Sequence, residues 1–255
     1  MTEPLQLVVI ALVVLLSGIS KSGFAGALGA FSVPLLLMVL EPKDAVALML
    51  PILIVADVFS LKSYWKQWNV DELKRLLPGT LLGIALATIF LQEVSEFWLT
   101  IVIALMSIGF ALKSIAANKQ PEQSLRFFSQ RVLAISTSTM AGISTTLIHA
   151  GGPPLMIYFN ALRVAPAAYI ATVAVLFALM NAVKLVTFTA SGLLQLEHFL
   201  LAVCFTPIAL IGNRLGVILA KTLPRQQFLS LMNWLLLILG LALVIIPIRL
   251  YICSI

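Results

Sequence analysis

Hydroxyl, glycine and basic side chains gather at two interruptions in otherwise apolar sequence. The first interruption contains Lys21 beside Ser20, Ser22 and Gly23. The second contains a hydroxyl-rich run, a histidine and two glycines: Ser144, Thr145, Thr146, His149, Gly151 and Gly152. A half-helix that begins in such a turn presents free N–H groups and a partial positive charge, which suit an anion. Two facing half-helix N-termini with hydroxyls and one lysine therefore predict an anion site that requires no metal.

Four further polar residues lie within apolar stretches: Asp57, Asn181, Lys184 and Arg214. A charge on a membrane-spanning helix costs at least about 2.5–3.5 kcal/mol, so such residues usually face a cavity or one another. Asp57 and His149 are the candidates for carrying a proton. Asn181 is the candidate for a substrate contact, and the Arg214 guanidinium is suited to attract an anion.

Each of these residues also has a structural interpretation. Both interruptions can be packing devices, in which hydroxyls bond back to the preceding helical turn. Lys21 can extend its ammonium to the membrane surface, and His149 can be a packed neutral histidine. Asp57 can form an ion pair with Lys21 or Arg214 or lie near the membrane interface, and Arg214 can bind Asp57 or helix-end carbonyls.

The composition indicates a membrane protein. The 255 residues are 61% hydrophobic and 10% charged, with a mean hydropathy of +1.10, whereas soluble domains are about 45–50% apolar and about 25% charged. This excludes a soluble enzyme, a disordered chain and a disulfide-stapled module, and long apolar runs exclude a porin-type barrel. The net charge of +6 comes without a basic run, so no nucleic-acid partner is expected. The two cysteines lack metal or redox spacing, and no cofactor is expected.

Hydropathy divides the chain into ten apolar segments. They cover residues 5–19, 31–40, 45–60, 76–91, 97–116, 132–148, 155–161, 167–182, 199–220 and 228–246. Segments 31–40 and 155–161 would extend only about 10–15 Å as helices, roughly half the hydrocarbon thickness. The sequence predicts an all-α polytopic membrane protein with about eight transmembrane helices and two broken or re-entrant helical hairpins.

Features of the first half recur in the same order in the second half. Three blocks align: Gly18-Ile19-Ser20 with Gly142-Ile143-Ser144, residues 45–57 with 169–181, and Pro78 and Gly83 with Pro207 and Gly212. We therefore expect a first transmembrane repeat at 5–116, a cytoplasmic connector at 117–131 and a second repeat at 132–246.

Positive charges orient these two halves. Strict alternation places 11 of the 16 lysines and arginines on one side, which is then cytoplasmic. Each half contains one hairpin and three crossings, an odd total, so the second half is inverted relative to the first. Inverted-topology repeats are typical of secondary transporters with a substrate site near the membrane midplane.

At these residues the sequence resembles the TauE/SafE family of membrane transporters, the sulfite-exporter superfamily. The resemblance rests on the motif Gly18-Ile19-Ser20-Lys21-Ser22-Gly23-Phe24-Ala25-Gly26 leading to Ser32-Val33-Pro34, on residues 142–154, and on the two proline and glycine pairs. It covers about residues 7–246. The resemblance implies eight or so helices, a multi-pass location in the bacterial inner membrane, and transport of sulfur-containing anions such as sulfite, sulfonates or sulfoacetate.

These observations predict a secondary transporter that moves a small anion by alternating access. Protons or the membrane potential would supply the energy, because the chain has no phosphate-binding loop. Moving one negative charge outward gains about 2.3 kcal/mol per 100 mV, so export needs no coupled ion. The expected partners are the small anion and membrane lipid, and a homodimer is compatible with the sequence. The alternatives are an intramembrane enzyme acting on a lipid phosphate and a non-transporting membrane subunit.

Overall fold

The computed structural model describes residues 4–23, 29–117, 129–162, 164, 166–222 and 233–245. Within these ranges the chain is helical and contains no strand, which confirms the all-α class. Ten helices follow one another: α1 (Pro4–Gly23), α2 (Gly29–Leu36), α3 (Pro42–Ser63), α4 (Val70–Glu93), α5 (Glu96–Ala117), α6 (Gln130–Ile148), α7 (Gly152–Ala161), α8 (Pro166–Ala190), α9 (Leu196–Thr222) and α10 (Asn233–Ile245).

Six of these helices are long and apolar enough to cross a membrane: α1, α3, α4, α5, α8 and α9. Their outward faces are apolar as well. On α4, for example, Leu82, Leu86 and Ile89 are each at least half exposed, while Ile84 and Ala87 are buried. Exposed side chains of this size suit lipid rather than water. The chain is therefore a membrane protein with six candidate spans.

The predicted segments correspond to the observed helices, although several bounds differ by a few residues. The short segments 31–40 and 155–161 are α2 and α7, of 8 and 10 residues. Segment 167–182 was predicted too short, because α8 continues to Ala190. Lys184, in this added part of the helix, is fully buried. The tenth segment, 228–246, begins outside the described residues.

Part of the predicted orientation also lies outside the described residues. The connector 117–131 is described only at its two ends, and the basic residues Lys119, Arg126, Arg163 and Arg225 fall in undescribed positions. The side chain of Lys221 is likewise not described. The count of charges on the two sides therefore remains a prediction from sequence.

Glycines bring α1 and α9 into backbone contact. A Cβ atom on Gly18 would lie 2.5 Å from the Ala209 oxygen and 3.0 Å from the Asn213 nitrogen, both on α9. In return, a Cβ atom on Gly212 would collide with the backbone of Leu15 on α1. Small residues at a membrane helix interface permit this close approach.

The same arrangement joins α4 to α6. A Cβ atom on Gly142 would lie 3.0 Å from the Cα of Gly83 and 3.0 Å from the nitrogen of Ile84. One on Gly83 would lie 2.9 Å from the nitrogen of Ile143. In the alignment of the two halves Gly18 corresponds to Gly142 and Gly83 to Gly212, so the two crossings are counterparts.

Helices α3 and α8 pack against each other between these two crossed pairs. Each also contacts one helix of a pair, α3 against α9 and α8 against α4. The short helix α7 packs against α6 and α8, and its Leu155, Tyr158 and Phe159 are buried. This arrangement places Asp57 of α3 next to Asn181 of α8.

We expect substitution of the crossing glycines to destabilise the protein. Gly142→Ala should lower the free energy of unfolding by about 2 kcal/mol or more, because the added methyl group meets backbone atoms that cannot move aside. Gly109→Ala on α5 is the matched control, since a Cβ atom there meets nothing within 4 Å. Thermal unfolding of the purified protein in detergent measures both changes. Equal melting temperatures for the two variants would contradict this packing.

Candidate functional site

The Asp57 carboxylate connects three helices. Its Oδ1 accepts a hydrogen bond from the Lys21 ammonium of α1 within an ion pair, and its Oδ2 accepts one from Asn181 Nδ2 of α8 at 2.6 Å. Lys21 Nζ also donates to the Leu53 carbonyl at 3.1 Å. Asp57 and Asn181 are buried. Of the two ion-pair partners considered for Asp57, the structure selects Lys21.

Lys184 lies on the same face of α8 as Asn181, three residues further along. It is fully buried, at 0% exposure, and its Nζ donates to the Thr145 carbonyl at 2.9 Å and the Thr145 hydroxyl at 3.3 Å. The third contact is to Nδ1 of His149 at 3.0 Å. All three of these partners are uncharged. Among the described ion pairs, none gives Lys184 a carboxylate partner.

His149 ends α6 and lies between two partners. Its backbone is left-handed, with φ 55° and ψ 27°, a conformation in which histidine is enriched among non-glycine residues. Nε2 is 3.0 Å from the Val46 carbonyl, which can only accept, so Nε2 carries the proton. Nδ1 then accepts from Lys184. The contacts define a neutral His149 with both ring nitrogens occupied, as the packed-histidine interpretation expects.

Two cavities meet at Lys21. The first, which we call the chamber, is lined by six polar residues, Ser17, Ser20, Lys21, Thr145, His149 and Asn181, together with Leu53 and Phe177. The second, which we call the vestibule, contains Lys21, Asp57, Ser60 and Phe177 and extends to Tyr64 and Tyr169 at the helix ends. Lys21 and Phe177 belong to both cavities. A solute moving from the vestibule to the chamber would pass these two side chains.

The hydroxyl groups near the second interruption have different roles. Ser144 Oγ bonds back to the Ala141 carbonyl at 3.3 Å, and Thr146 Oγ1 bonds back to the Gly142 carbonyl at 2.7 Å. These two groups satisfy the helix itself. Thr145 Oγ1 instead accepts from Lys184 and lines the chamber, so its own proton can be donated to a solute there.

The predicted arrangement of half-helix N-termini is wrong for most of its residues. Lys21 lies in the last turn of α1 with Ser20, Ser22 and Gly23, and Ser144, Thr145 and Thr146 lie near the C-terminal end of α6. On α6 the hydroxyls of Ser144 and Thr146 bond back to the helix itself. The surroundings of Ser22 and Gly23 are not described.

Gly151 and Gly152 do lie at a helix N-terminus, that of α7. Gly151 is its N-cap without a side-chain hydrogen bond, and Gly152 is its first residue. Pro153 and Pro154 follow directly and have no N–H groups, so this terminus has fewer donors than an ordinary one. The positive charge at the chamber therefore comes mainly from lysine side chains.

Arg214 is not brought to this cluster. It is exposed on α9, whereas Gly212, two residues earlier, is buried against α1. Two residues correspond to about 200° around a helix, so Arg214 points away from the buried side. Position within an apolar span did not predict which face the residue would occupy.

Sequence reasoning named Lys184 among the polar residues within apolar stretches but assigned it no role at the site. Asp57 and Asn181 are 124 residues apart and are counterparts in the two halves. By the same separation, Lys21 corresponds to Thr145 and Ser60 corresponds to Lys184. Each half thus supplies one lysine, but from non-equivalent positions. The signal in the sequence was the spacing of Asn181 and Lys184, which puts both on one helix face.

We expect an anionic thiol reagent to enter the chamber. In a background with both native cysteines replaced by serine, Thr145→Cys should react with a sulfonate-bearing methanethiosulfonate reagent, because its side chain lines the chamber. Thr137→Cys is the control, since Thr137 is buried on the same helix and bonds back to Leu133 at 2.6 Å. Mass spectrometry measures the adducts. An unlabelled Thr145→Cys, or equal labelling of both, would contradict a water-accessible chamber.

One comparison with known proteins identifies a family. The family model described as sulfite exporter TauE/SafE matches residues 10–243, a range that includes every described residue of the chamber and vestibule. No curated protein and no solved structure matches the chain. The family match extends over most of the sequence and over both interruptions. The chain therefore belongs to the sulfite exporter TauE/SafE family, whose members are transporters rather than enzymes.

Proposed function

We propose that the chain is a secondary transporter that binds a small anion in the chamber and moves it by alternating access. One observation carries the proposal: the partly buried Lys21 ammonium and the fully buried Lys184 amino group share the site with a single carboxylate. The Lys21 charge is balanced by Asp57, whereas Lys184 contacts only neutral acceptors. A buried unpaired charge is costly. An anion in the chamber would remove that cost.

Hydrogen-bond donors around the chamber suit an oxyanion. The Lys21 ammonium, the Thr145 hydroxyl and the Asn181 amide all line it. Lys184 lies directly behind Thr145 and polarises the hydroxyl that it contacts. Charge-assisted hydrogen bonds of this kind are about twice as strong as neutral ones. We take the solute to be a sulfur oxyanion or an organosulfonate, in agreement with the family.

The helix packing supports two inverted repeats as the moving parts. The crossings of α1 with α9 and of α4 with α6 are counterparts in the aligned halves. Each crossing joins a helix of one half to a helix of the other, and α3 meets α8 at the site. Together with α6 and α10, the six long spans give eight crossings, and α2 and α7 form the short arms of two broken hairpins. Rocking of these units would expose the chamber alternately to the two sides.

Membrane voltage favours export of the solute. We place the protein in the bacterial inner membrane with the basic loops in the cytoplasm, where the potential drives anions outward by about 2.3 kcal/mol per charge per 100 mV. Export then needs no coupled ion. Uptake would need a proton, and Asp57 is the better carrier because Lys184 occupies His149. An anion that draws Lys21 away would leave Asp57 free to accept that proton.

We expect anion currents to depend on Lys21. In proteoliposomes held under a membrane potential, sulfite-dependent current should fall by at least about tenfold in Lys21→Ala, since a hydrogen bond to a charged group is worth about 1.5–3 kcal/mol. Lys62→Ala removes an equal charge from an exposed position on α3 and should leave the current unchanged. Wild-type current in Lys21→Ala would remove that residue from the pathway.

The Thr145 hydroxyl should contribute to anion binding where a helix-bonded hydroxyl does not. We expect Thr145→Val to reduce thermal stabilisation of the purified protein by sulfite, thiosulfate and sulfoacetate, because it loses a donor in the chamber. Thr137→Val removes a back-bonded hydroxyl from the same helix and should retain full stabilisation. If both variants respond to the anions as the wild type does, the hydroxyl is not a ligand.

A further inference from the structure

The geometry points to Asp57 as the residue that sets the charge of the accepted solute, so that the chamber takes monovalent oxyanions in preference to divalent ones of similar size. This inference rests on the proposed function and specifies its substrate class. Methanesulfonate and hydrogensulfite are monovalent, whereas sulfate, thiosulfate and sulfoacetate with both acid groups ionised are divalent. The selection depends on three buried side chains and their contacts.

The charges at the site follow from those contacts. Asp57 receives donors on both oxygens, as a carboxylate does, and pairs with the Lys21 ammonium. His149 is neutral because Nδ1 accepts from Lys184 while Nε2 donates to Val46. The charges of Asp57 and Lys21 cancel. The empty site therefore carries one net positive charge when Lys184 is an ammonium and none when it is an amine.

The net charge of the site affects anion binding strongly because the charged groups are buried. Lys184 is 0% exposed and Asp57 is 3% exposed, so water screens their charges little. Among the described residues lining the chamber and vestibule, Lys21 and Asp57 carry the only charges. With Lys184 in either form, a dianion leaves one more negative charge than a monoanion next to the Asp57 carboxylate.

Asp57 is the position at which this balance can be changed with little change in shape. In Asp57→Asn the amide oxygen can still accept from Lys21, and the amide nitrogen can donate to the side-chain oxygen of Asn181. The net charge of the empty site then rises by one. The preference should move toward dianions although the lining of the chamber is retained.

A second variant gives the empty site the same net charge and leaves the Lys21–Asp57 ion pair unchanged. Ser60 lines the vestibule, bonds back to Ala56 at 3.1 Å, and occupies the position equivalent to Lys184 in the other half. Ser60→Lys therefore adds a positive charge where the repeat already uses one. It should shift the preference in the same direction as Asp57→Asn.

The test measures the dissociation constants of methanesulfonate and sulfate by calorimetry. Both ions are tetrahedral at sulfur and differ by one charge. We expect the wild type to bind methanesulfonate at least about tenfold more tightly, and Asp57→Asn and Ser60→Lys each to change that ratio by about tenfold or more toward sulfate. Asp44→Asn is the matched control, because Asp44 lies in the exposed first turn of the same helix. It should keep the wild-type ratio.

Each outcome has a distinct meaning. Equal or tighter sulfate binding by the wild type would overturn the charge rule, as would an unchanged ratio in a folded Asp57→Asn or in Ser60→Lys. Thermal unfolding without anions establishes that each variant is folded, and Ser60→Lys decides the question if Asp57→Asn does not fold. Failure of the wild type to bind either ion, together with sulfite, thiosulfate and sulfoacetate, would overturn the proposed function itself.

Discussion

The amino group of Lys184 is enclosed by protein, and its described contacts include no carboxylate. The geometry of the site depends on this constraint. Lys184 has three neutral partners, and these partners explain several local features together. Helix α8 continues through the lysine instead of ending before it. His149 takes a left-handed backbone that places its ring between Lys184 and Val46. The Thr145 oxygen accepts from the lysine, and its proton is available for donation into the chamber. In the proposed function, an anion in the chamber supplies the negative charge that these contacts lack.

At its two helix crossings, the scaffold around this site packs closely through glycines rather than through large side chains. At Gly18 with Gly212 and at Gly83 with Gly142, backbones touch in a way that a single methyl group would prevent. Membrane helices gain little from apolar burial against one another, so such close packing is a principal source of their association. The two tight pairs leave α3 and α8 between them. These are the helices that carry Asp57, Asn181 and Lys184, so motion of one pair relative to the other would reach the site directly.

Hydropathy alone predicted the helices well, because apolar length is a local property of sequence. The two short helices and the equivalence of Gly18 with Gly142 were also accessible, since a break and a repeat can both be read along the chain. The directions in which individual side chains point could not be predicted in this way. The hydroxyls of Ser144 and Thr146 continue α6 instead of ending it, and Arg214 faces away from the core. Which lysine is buried depends on how two distant helices meet. The pattern within either helix does not contain that information.

The most direct test is a crystal structure of the protein with 2-bromoethanesulfonate, a monovalent sulfonate whose bromine gives an anomalous signal. The account predicts sulfonate density in the chamber, within hydrogen-bond distance of Lys21 Nζ and Thr145 Oγ1, with the bromine peak beside it. Lys184 should retain its contacts to Thr145 and His149. A chamber without density at saturating sulfonate, or a sulfonate bound only at a surface away from both lysines, would contradict the account.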